Sequence, residues 1–436
     1  MGGMRWGLVL ALLLHASPVR AQNSEDVLAG SDVALTGGAV VANVQTGGAM
    51  WFNPAGVARV DSRSLGLTGA VLSYSVIKAP GALSLSSGEQ SAGDFSSVEA
   101  IPRALTFVAS PRPQLRWGLG FFFTRVVERF TQDSVSSSAG AEPPAEFFAS
   151  VNQTRRFYHV SSAVAWKQSE KLLVGGGLDL VLASQRFNQF FSGSYDGGAG
   201  GATSFGLAEN ISGGGIQIKG GVQWAPIEEI RVGFMVSTPS YLAFLSQQET
   251  STRTIAPPGG PPDFEGTQIK DTRGAWAGVE AGLTRLGVAW LQRWGWVEAD
   301  LIIRFPLETP ALDLDWKVTP NTKVGAILRV SERLKLGLGF ATDFSAIRSL
   351  QVFGASEVDL YTMTVGVDFS NRAAPPEAGE KGFYLALAIA AQYSIGRGNL
   401  VGAVLPNTFD PPLIETNIVP IRVNTIAVNV AVKAAF

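Results

Sequence analysis

The chain ends in a segment whose side chains alternate in character and whose last residue is aromatic. The apolar positions are Ile426, Val428, Val430, Val432, Ala434 and Phe436, and the positions between them are small or polar. A period of two indicates a β-strand with two different faces. Barrels of the bacterial outer membrane end in this way because the last strand closes the cylinder and its aromatic residue lies at the membrane interface. The pattern predicts that one face of each strand contacts lipid.

The N-terminus has the order of a secretory signal peptide. Arg5 is followed by an apolar run over residues 6–14, then by Pro18 and the small-residue pattern that ends at Ala21. We predict a signal peptide over residues 1–21, with cleavage after Ala21. The apolar run is too short to cross a bilayer as a helix, which takes about 20 residues.

The composition excludes several classes of protein. The chain has no cysteine, so it has no disulfide, no thiolate metal site and no lipid-modified cysteine. The 34 basic and 36 acidic residues nearly balance, which leaves no field to attract nucleic acid. Apolar residues make up 46% of the chain yet form no long uninterrupted run. Short strands with one lipid-facing side produce this distribution, and membrane helices do not. We expect no cofactor.

Alternation recurs along the chain and predicts about fourteen strands. The clearest segments are 158–167, 216–224, 297–305, 333–343, 361–369 and 422–436. Weaker segments are 64–76, 101–110, 115–127, 171–187, 230–245, 274–290, 321–330 and 381–396. The weakest is 274–290, which a helix or an inserted loop would also fit.

The connections between these segments alternate between short and long. The short ones are 111–114, 169–170, 225–229, 291–293 and 331–332, with a longer one at 371–380. The long ones are 77–100, 128–153, 188–212, 246–273, 306–320, 344–356 and 397–421. Outer-membrane barrels have short periplasmic turns and long extracellular loops. The sequence therefore predicts an all-β fold: a transmembrane antiparallel β-barrel over residues 64–436, with both ends in the periplasm.

The predicted inward faces carry few charges and many small residues. A cylinder of about fourteen strands is wide enough to need a filling. Residues 22–63 are not strand-like and contain paired glycines, which permit tight turns. Asn53-Pro54 forces an extended or turn conformation and ends any helix before it. We predict that this segment forms an N-terminal hatch inside the lumen.

The sequence around this turn resembles a known family. The phrase Trp51-Phe-Asn-Pro-Ala-Gly, followed by strands that close on Phe436, is similar to the long-chain fatty acid transport family of outer-membrane proteins. The resemblance implies a fourteen-stranded barrel with an inner hatch whose Asn-Pro-Ala motif matches Asn53, Pro54 and Ala55. It also implies passive uptake of hydrophobic compounds such as long-chain fatty acids, with no enzymatic step.

The resemblance suggests where a ligand would bind. An apolar molecule would first meet apolar residues of the outer loops and then pass to a pocket above the hatch. The candidate contacts are Phe187, Phe190, Phe191, Tyr241, Leu242, Phe244 and Leu245. Their alternative role is in the aromatic girdle at the membrane interface. The expected partners are the hydrophobic solute, outer-membrane lipid and lipopolysaccharide, and the barrel-assembly machinery through Phe436; we expect a monomer and no nucleic acid.

Other functions remain open from the residues alone. The barrel could serve as an adaptor or scaffold in a secretion or surface-assembly system. His159 lies near Ser161 and Ser162, which raises the hypothesis of a barrel enzyme with Ser-His chemistry. The sequence, however, shows no third catalytic partner and no oxyanion site. We expect instead a lumen histidine held by hydrogen bonds. A general porin would line its lumen with opposed charges. Asp313 and Asp315 offer too few ligands for a calcium site, so we expect no metal.

Overall fold

The computed structural model describes residues 28–60, 63–137, 145–195, 201–260, 263–274, 277–309, 314–348, 350, 354, 356–374, 382–405 and 415–436. The predicted signal peptide, residues 1–21, lies outside this part of the chain. Within it, no helix has both the length and the apolar character to cross a membrane.

Three short helical segments precede the strands. They are α1 (Ser31–Thr36), α2 (Ala49–Phe52) and a 3-10 helix (Pro54–Arg59). The strands are β1 (Arg63–Lys78), β2 (Leu83–Leu85), β3 (Asp94–Arg112), β4 (Leu115–Ser136), β5 (Ala145–Lys167), β6 (Leu172–Tyr195), β7 (Ala202–Ile227), β8 (Ile230–Ser237), β9 (Ser240–Ala256), β10 (Asp263–Gly274), β11 (Ala277–Glu280), β12 (Leu283–Gln292), β13 (Gly295–Arg304), β14 (Leu307–Thr309), β15 (Leu314–Trp316), β16 (Thr319–Arg329), β17 (Leu334–Asp343), β18 (Ser356–Ser370), β19 (Tyr384–Leu405) and β20 (Glu415–Ala435).

The strands form a closed antiparallel barrel with fourteen strand positions around the wall, which we call staves. β8 and β9 together form one interrupted stave, and β10, β11 and β12 form the next. These two staves pair with each other along one continuous ladder, with shifts of one residue. β1 closes the cylinder against β20, from Ser64 opposite Ala435 to Lys78 opposite Arg422. The predicted fold class is confirmed, and each of the fourteen predicted segments overlaps one stave.

The outer surface of the barrel is apolar. Leu336 and Leu338 of β17 are 43% and 59% exposed, while the alternate residues of the strand turn inward. The same pattern recurs on β6, β18 and β19, where large aliphatic side chains occupy the outward positions. Water would penalise so large an exposed apolar band, whereas lipid would not.

Several strands continue well beyond this apolar band at the end of the barrel opposite the chain termini. We call this part of β4, β5, β6, β7, β9 and β10 the mouth extension. The prediction of long loops at 128–153, 188–212, 246–273 and 397–421 is therefore wrong for most of those residues, since strands occupy 128–136, 145–153 and 246–256 among others. Outside the lipid, outward residues are polar, and so the apolar alternation that marked the strands disappears.

Two neighbouring staves break at the same height. β8 and β9 are interrupted at Thr238–Pro239, and the facing stave is interrupted at Ala281–Gly282. Pro239 has no N–H group to donate to the ladder. A Cβ on Gly282 would lie 2.7 Å from the carbonyl oxygen of Ser237, so the chain approaches closely there. The segment 274–290 is thus an interrupted strand, and the helix and inserted-loop alternatives are wrong.

Candidate functional site

Residues 28–60 fold as a compact hatch inside the barrel, and almost all of them are buried. Asp32 of α1 joins the two halves of the hatch. Its carboxylate accepts hydrogen bonds from the Thr46 hydroxyl at 2.6 Å and from the Gln45 N–H at 2.7 Å. Bonds to a charged acceptor are stronger than neutral ones. They hold the turns of the hatch together although its helices are only one or two turns long.

Asn53 connects the hatch to the barrel wall. Its Oδ1 accepts the N–H of Ala55 at 3.2 Å, which caps the 3-10 helix that begins at Pro54. Its Nδ2 donates to the carbonyl of Val41 at 2.9 Å and to that of Val222 in β7 at 3.1 Å. An amide can make these bonds together because it carries both an acceptor and two donors. The predicted motif Asn53-Pro54-Ala55 therefore lies, buried, at a contact between hatch and wall.

Glycines of the wall make room for this contact. A Cβ on Gly221 would lie 2.1 Å from Asn53 Oδ1, and one on Gly175 would lie 2.5 Å from the Ala55 nitrogen. A Cβ on Gly233 would lie 2.3 Å from the Val41 carbonyl oxygen. Real Cβ atoms do not approach other atoms so closely, so the hatch packs directly on the backbone of these strands.

Two carboxylates of β13 also hold the hatch against the wall. Asp300 Oδ2 accepts the N–H groups of Val40 and Val41 at 2.8 and 3.2 Å. Glu298 Oε1 accepts the N–H of Ala42 at 2.5 Å. Both side chains are buried and point inward, being two residues apart on one strand. Three successive backbone donors of the hatch are thereby satisfied by the wall.

A polar layer lies over Trp51 of the hatch, formed by His159, Asp179, Lys219, Glu280 and Arg285. His159 Nδ1 lies 3.2 Å from Asp179 and its Nε2 lies 3.0 Å from Glu280. Lys219 Nζ lies 2.5 Å from Asp179 and 3.7 Å from the centre of the Trp51 ring. Arg285 donates to the Trp51 carbonyl at 2.8 Å. Each buried charge thus lies against an opposite charge, an aromatic face or a carbonyl.

The buried charges of the lumen correct one expectation from the sequence. The prediction of inward faces with few charges is wrong, because Arg304, Lys323 and Asp343 are also buried there. These charges pair with one another or with the hatch, and they leave a cavity of only about 40 Å³ beside Trp51. Such a volume holds a few water molecules at most, at about 10–15 Å³ each. An open aqueous pore of the general-porin kind would need far more room.

His159 is a buried lumen histidine held by hydrogen bonds, as predicted. Ser161 donates to Asp179 at 2.7 Å, so the carboxylate lies between the serine and the ring. Ser162 lies on the outer face, where it accepts a bond from the Trp117 indole at 3.2 Å. Among the described residues, no group of three or more His, Asp or Glu side chains is placed to hold a metal ion.

A cluster of buried apolar side chains lies on the inner face of the wall between the polar layer and the mouth. It comes from β5, β6, β7, β9 and β11: Phe157, Val181, Ala183, Ile211, Leu242, Leu245 and Val279. We call the part of the lumen that this cluster faces the chamber. Above it, residues 79–93 form a strap that crosses the mouth. In the strap, Leu83 and Leu85 of β2 pair in parallel with β19 and pack on Val135, Phe147 and Tyr195.

The seven candidate ligand residues lie in strands, so the prediction that they lie in loops is wrong. They belong to β6 (Phe187, Phe190, Phe191) and to β9 (Tyr241, Leu242, Phe244, Leu245). Strand alternation divides the residues of β6 into two groups, and in β9 a register shift between Leu242 and Phe244 places Leu242 and Leu245 on the same, inner face. Leu242 and Leu245 line the chamber, Phe191 packs below the strap, and Phe187 is buried. Phe190, Tyr241 and Phe244 are 45%, 40% and 62% exposed, on the outside.

The wall has a gap beside the hatch. The ladder between β3 and β4 ends, within the described backbone, at the pair Ala104–Phe122. Beyond this pair β3 continues along β1 to Asp94, while β4 continues along β5 to Ser136. Phe122 is fully buried, and its ring lies 5.8 Å from that of Trp51. The opening therefore begins next to the top of the hatch.

The fold matches several solved structures. No protein-family model matches the chain, and no curated protein matches it. A Pseudomonas aeruginosa FadL homologue has a TM-score of 0.59 at 11% identity, with 95% of this chain and 99% of that chain covered. The CymD monoaromatic hydrocarbon channel has a TM-score of 0.54 at 12% identity, with 94% and 98% covered. The toluene transporter TodX of P. putida has a TM-score of 0.52 at 15% identity, with 94% and 99% covered.

The chain has a FadL-like fold. The resemblance drawn from the Asn53 motif is confirmed at this level. Within the FadL-like barrel, sequence reasoning missed Glu298 and Asp300, whose partners are backbone groups about 260 positions away. It also missed the strap and the β3–β4 gap. For Glu298 and Asp300, the sequence offered one signal: both carboxylates occupy inward positions on a strand with strong alternation.

Proposed function

We propose that this protein is an outer-membrane channel for the passive uptake of hydrophobic compounds. The observation that carries the proposal is the gap between β3 and β4, which begins beside Phe122 and the hatch. A barrel that moved polar solutes would need an open axial pore. Here the axis is occupied by the hatch and by the charged layer over Trp51, and the free edge of the wall is lateral.

The surroundings of the gap support an apolar solute. The chamber above the polar layer is lined by apolar side chains from five strands. On the outer side of the wall, Phe121, Phe123 and Tyr158 form a cluster with ring centres 4.8–6.0 Å apart. A solute would move from the chamber past Phe122, through the gap, and onto these rings. Each surface on this route favours apolar over polar molecules.

The apolar cluster and the fold support a hydrophobic substrate class. We propose long-chain fatty acids or hydrocarbons of similar polarity as the solutes. CymD is described as a monoaromatic hydrocarbon channel and TodX as a toluene transporter, which makes small aromatic hydrocarbons the second class to test. Leu242 and Leu245 are the chain's own candidate contacts in the chamber. We propose that the barrel acts as a monomer, surrounded by lipid and lipopolysaccharide and assembled through its Phe436 terminus.

Uptake by whole cells tests the proposal. Cells that lack other channels of this type would express the protein and receive radiolabelled oleate or toluene. We expect faster uptake of at least one solute than in cells with the empty vector. Ile101→Glu places a charge on the buried face of β3 at the gap and should abolish the gain. Val358→Glu, at a valine buried on β18 away from the gap, is the matched control.

Three outcomes oppose the proposal. The first is uptake of both solutes equal to that of the vector control, with the barrel present and folded. The second is an equal reduction of uptake in the two glutamate variants, which would show that the solute does not pass through the gap. Large steady conductance steps in a planar bilayer would indicate an aqueous pore instead.

A further inference from the structure

The outward face of the mouth extension carries a concave site that the uptake route does not use. It has a volume of about 640 Å³, within the usual range of ligand sites, about 300–1,000 Å³. Its lining comes from β4, β5, β6, β7 and β9, beyond the apolar band of the barrel. In β6, for instance, the band ends at Leu182, and the next outward residues are Ser184, Arg186 and Asn188.

A row of paired residues crosses the five strands, and four of the five carry a hydroxyl group. In strand order the residues are Ser134, Phe148, Ser192, Ser204 and Thr254. Two positions further toward the strand ends, the row Ser136, Glu146 and Ser194 lies on the same face. Neighbouring strands are about 4.8 Å apart, so Ser192, Ser204 and Thr254 are close together, while Phe148 separates them from Ser134.

The hydroxyls are available to a ligand. In the part of the chain that the structure describes, the side chains of Ser136, Ser192, Ser194 and Ser204 have no hydrogen-bond partner within the protein. Each hydroxyl can donate one bond and accept two. A molecule rich in hydroxyl groups needs donors and acceptors in alternation, and this surface offers both.

An aromatic surface borders the row. The ring of Phe148 lies 6.4 Å from that of Phe190, which is 45% exposed. A pyranose ring has an apolar face of C–H groups that packs on such a surface while its hydroxyls bond at the edge. Phe190 was a candidate contact for the hydrophobic solute; its outward position and its contact with Phe148 place it beside this site.

The charge of the site limits the ligand further. Glu146 is a carboxylate, and no lysine, arginine or histidine is among the lining residues. A phosphorylated or acidic sugar would therefore meet like charge without a compensating cation. On their other face the same strands pack against the strap through Val135, Phe147 and Tyr195. This packing orders the strands that form the site before a ligand binds. An ordered site loses less entropy on binding.

From these features we propose that the site binds a neutral saccharide, of the size of a short oligosaccharide. The sugar could belong to the polysaccharide chains that surround the barrel mouth, or it could be free in the medium. The recognising chemistry is the same in both cases: the hydroxyl row, the Glu146 acceptor and the Phe148–Phe190 surface. The proposal is independent of hydrophobic uptake, since the site lies on the opposite face of the wall from the chamber.

Glycan binding by the purified full-length barrel in detergent tests the proposal. The probes are an array of neutral and phosphorylated oligosaccharides and, separately, the delipidated polysaccharide chain of the host's own lipopolysaccharide. We expect neutral members to bind, and Phe148→Ala to weaken binding at least about fivefold through the lost ring contact. Ser192→Val should weaken it too, whereas Ser184→Ala, outside the site on the same strand, should not.

The two sets of probes, the oligosaccharide array and the host polysaccharide, identify the source of the sugar. Binding of the host polysaccharide indicates an anchor in the surface layer, and binding of array members alone indicates a free sugar. Absence of any binding by the folded barrel overturns the proposal. So does binding confined to phosphorylated sugars, or binding that Phe148→Ala and Ser192→Val leave unchanged. Heat-modifiable migration on gels confirms that each variant is folded.

Discussion

Removing the Asp300 carboxylate should loosen the hatch. Asp300 Oδ2 accepts two backbone N–H groups, from Val40 and Val41, at 2.8 and 3.2 Å. A hydrogen bond to a charged group contributes about 1.5–3 kcal/mol, so Asp300→Ala weakens docking by roughly 3–6 kcal/mol. At about 1.4 kcal/mol per tenfold change, the ratio of open to closed hatch rises by about 10²- to 10⁴-fold. Asp300→Asn keeps an acceptor and should have a smaller effect.

Amide hydrogen exchange measures this ratio directly. The N–H groups of Val40 and Val41 should exchange faster in Asp300→Ala by the same factor, because they exchange from the open hatch. Planar-bilayer recordings should show new openings in the variant. The matched control is Asp359→Ala, which removes a carboxylate that accepts one N–H of Ser345, at 2.9 Å, outside the hatch. Unchanged exchange at Val40 and Val41 in the folded variant would refute the assigned role.

Two further predictions concern the hatch and its wall. Asn53→Ala removes three hydrogen bonds and should weaken docking by roughly 1.5–4.5 kcal/mol, seen as faster proteolysis of the hatch. Gly221→Val should displace the hatch, since a Cβ there would lie 2.1 Å from Asn53 Oδ1, whereas Gly220→Ala meets nothing within 4 Å and should leave the hatch protected. For Asn53→Ala and Gly221→Val, proteolysis rates equal to that of the unmodified barrel would contradict the assigned contacts.

The lipid-facing part of the fold could be predicted from the sequence. Lipid selects large apolar residues at every second position, and Leu336, Leu338 and Phe340 show this directly. The same selection ends where the strands leave the lipid, so β4 and β5 could not be followed into the mouth extension. The outward residues there include Ser150, Asn152 and Thr154, which are as common in loops as in strands.

The candidate site was predictable only in part. The Asn53 motif is local, because its turn and its helix cap involve consecutive residues. The carboxylates of β13 bind backbone groups, and a backbone N–H leaves no trace in residue identity. The aromatic candidates of β6 were grouped as loop residues, whereas the strand period sends Phe187 and Phe191 inward and Phe190 outward. A period of two decides these positions once the strand itself is known.

The position of the hatch in the chain sets an order of assembly. The hatch ends at Val60, and β1, which begins at Arg63, is the strand that seals the cylinder against β20. The hatch contacts the backbone of β7, a carboxylate of β13 and glycines of neighbouring strands. We therefore expect the hatch to be seated on these strands before the first and last strands meet. In this order of assembly, the sheet closes around a hatch that is already in place, and the hatch serves as the surface on which the barrel forms.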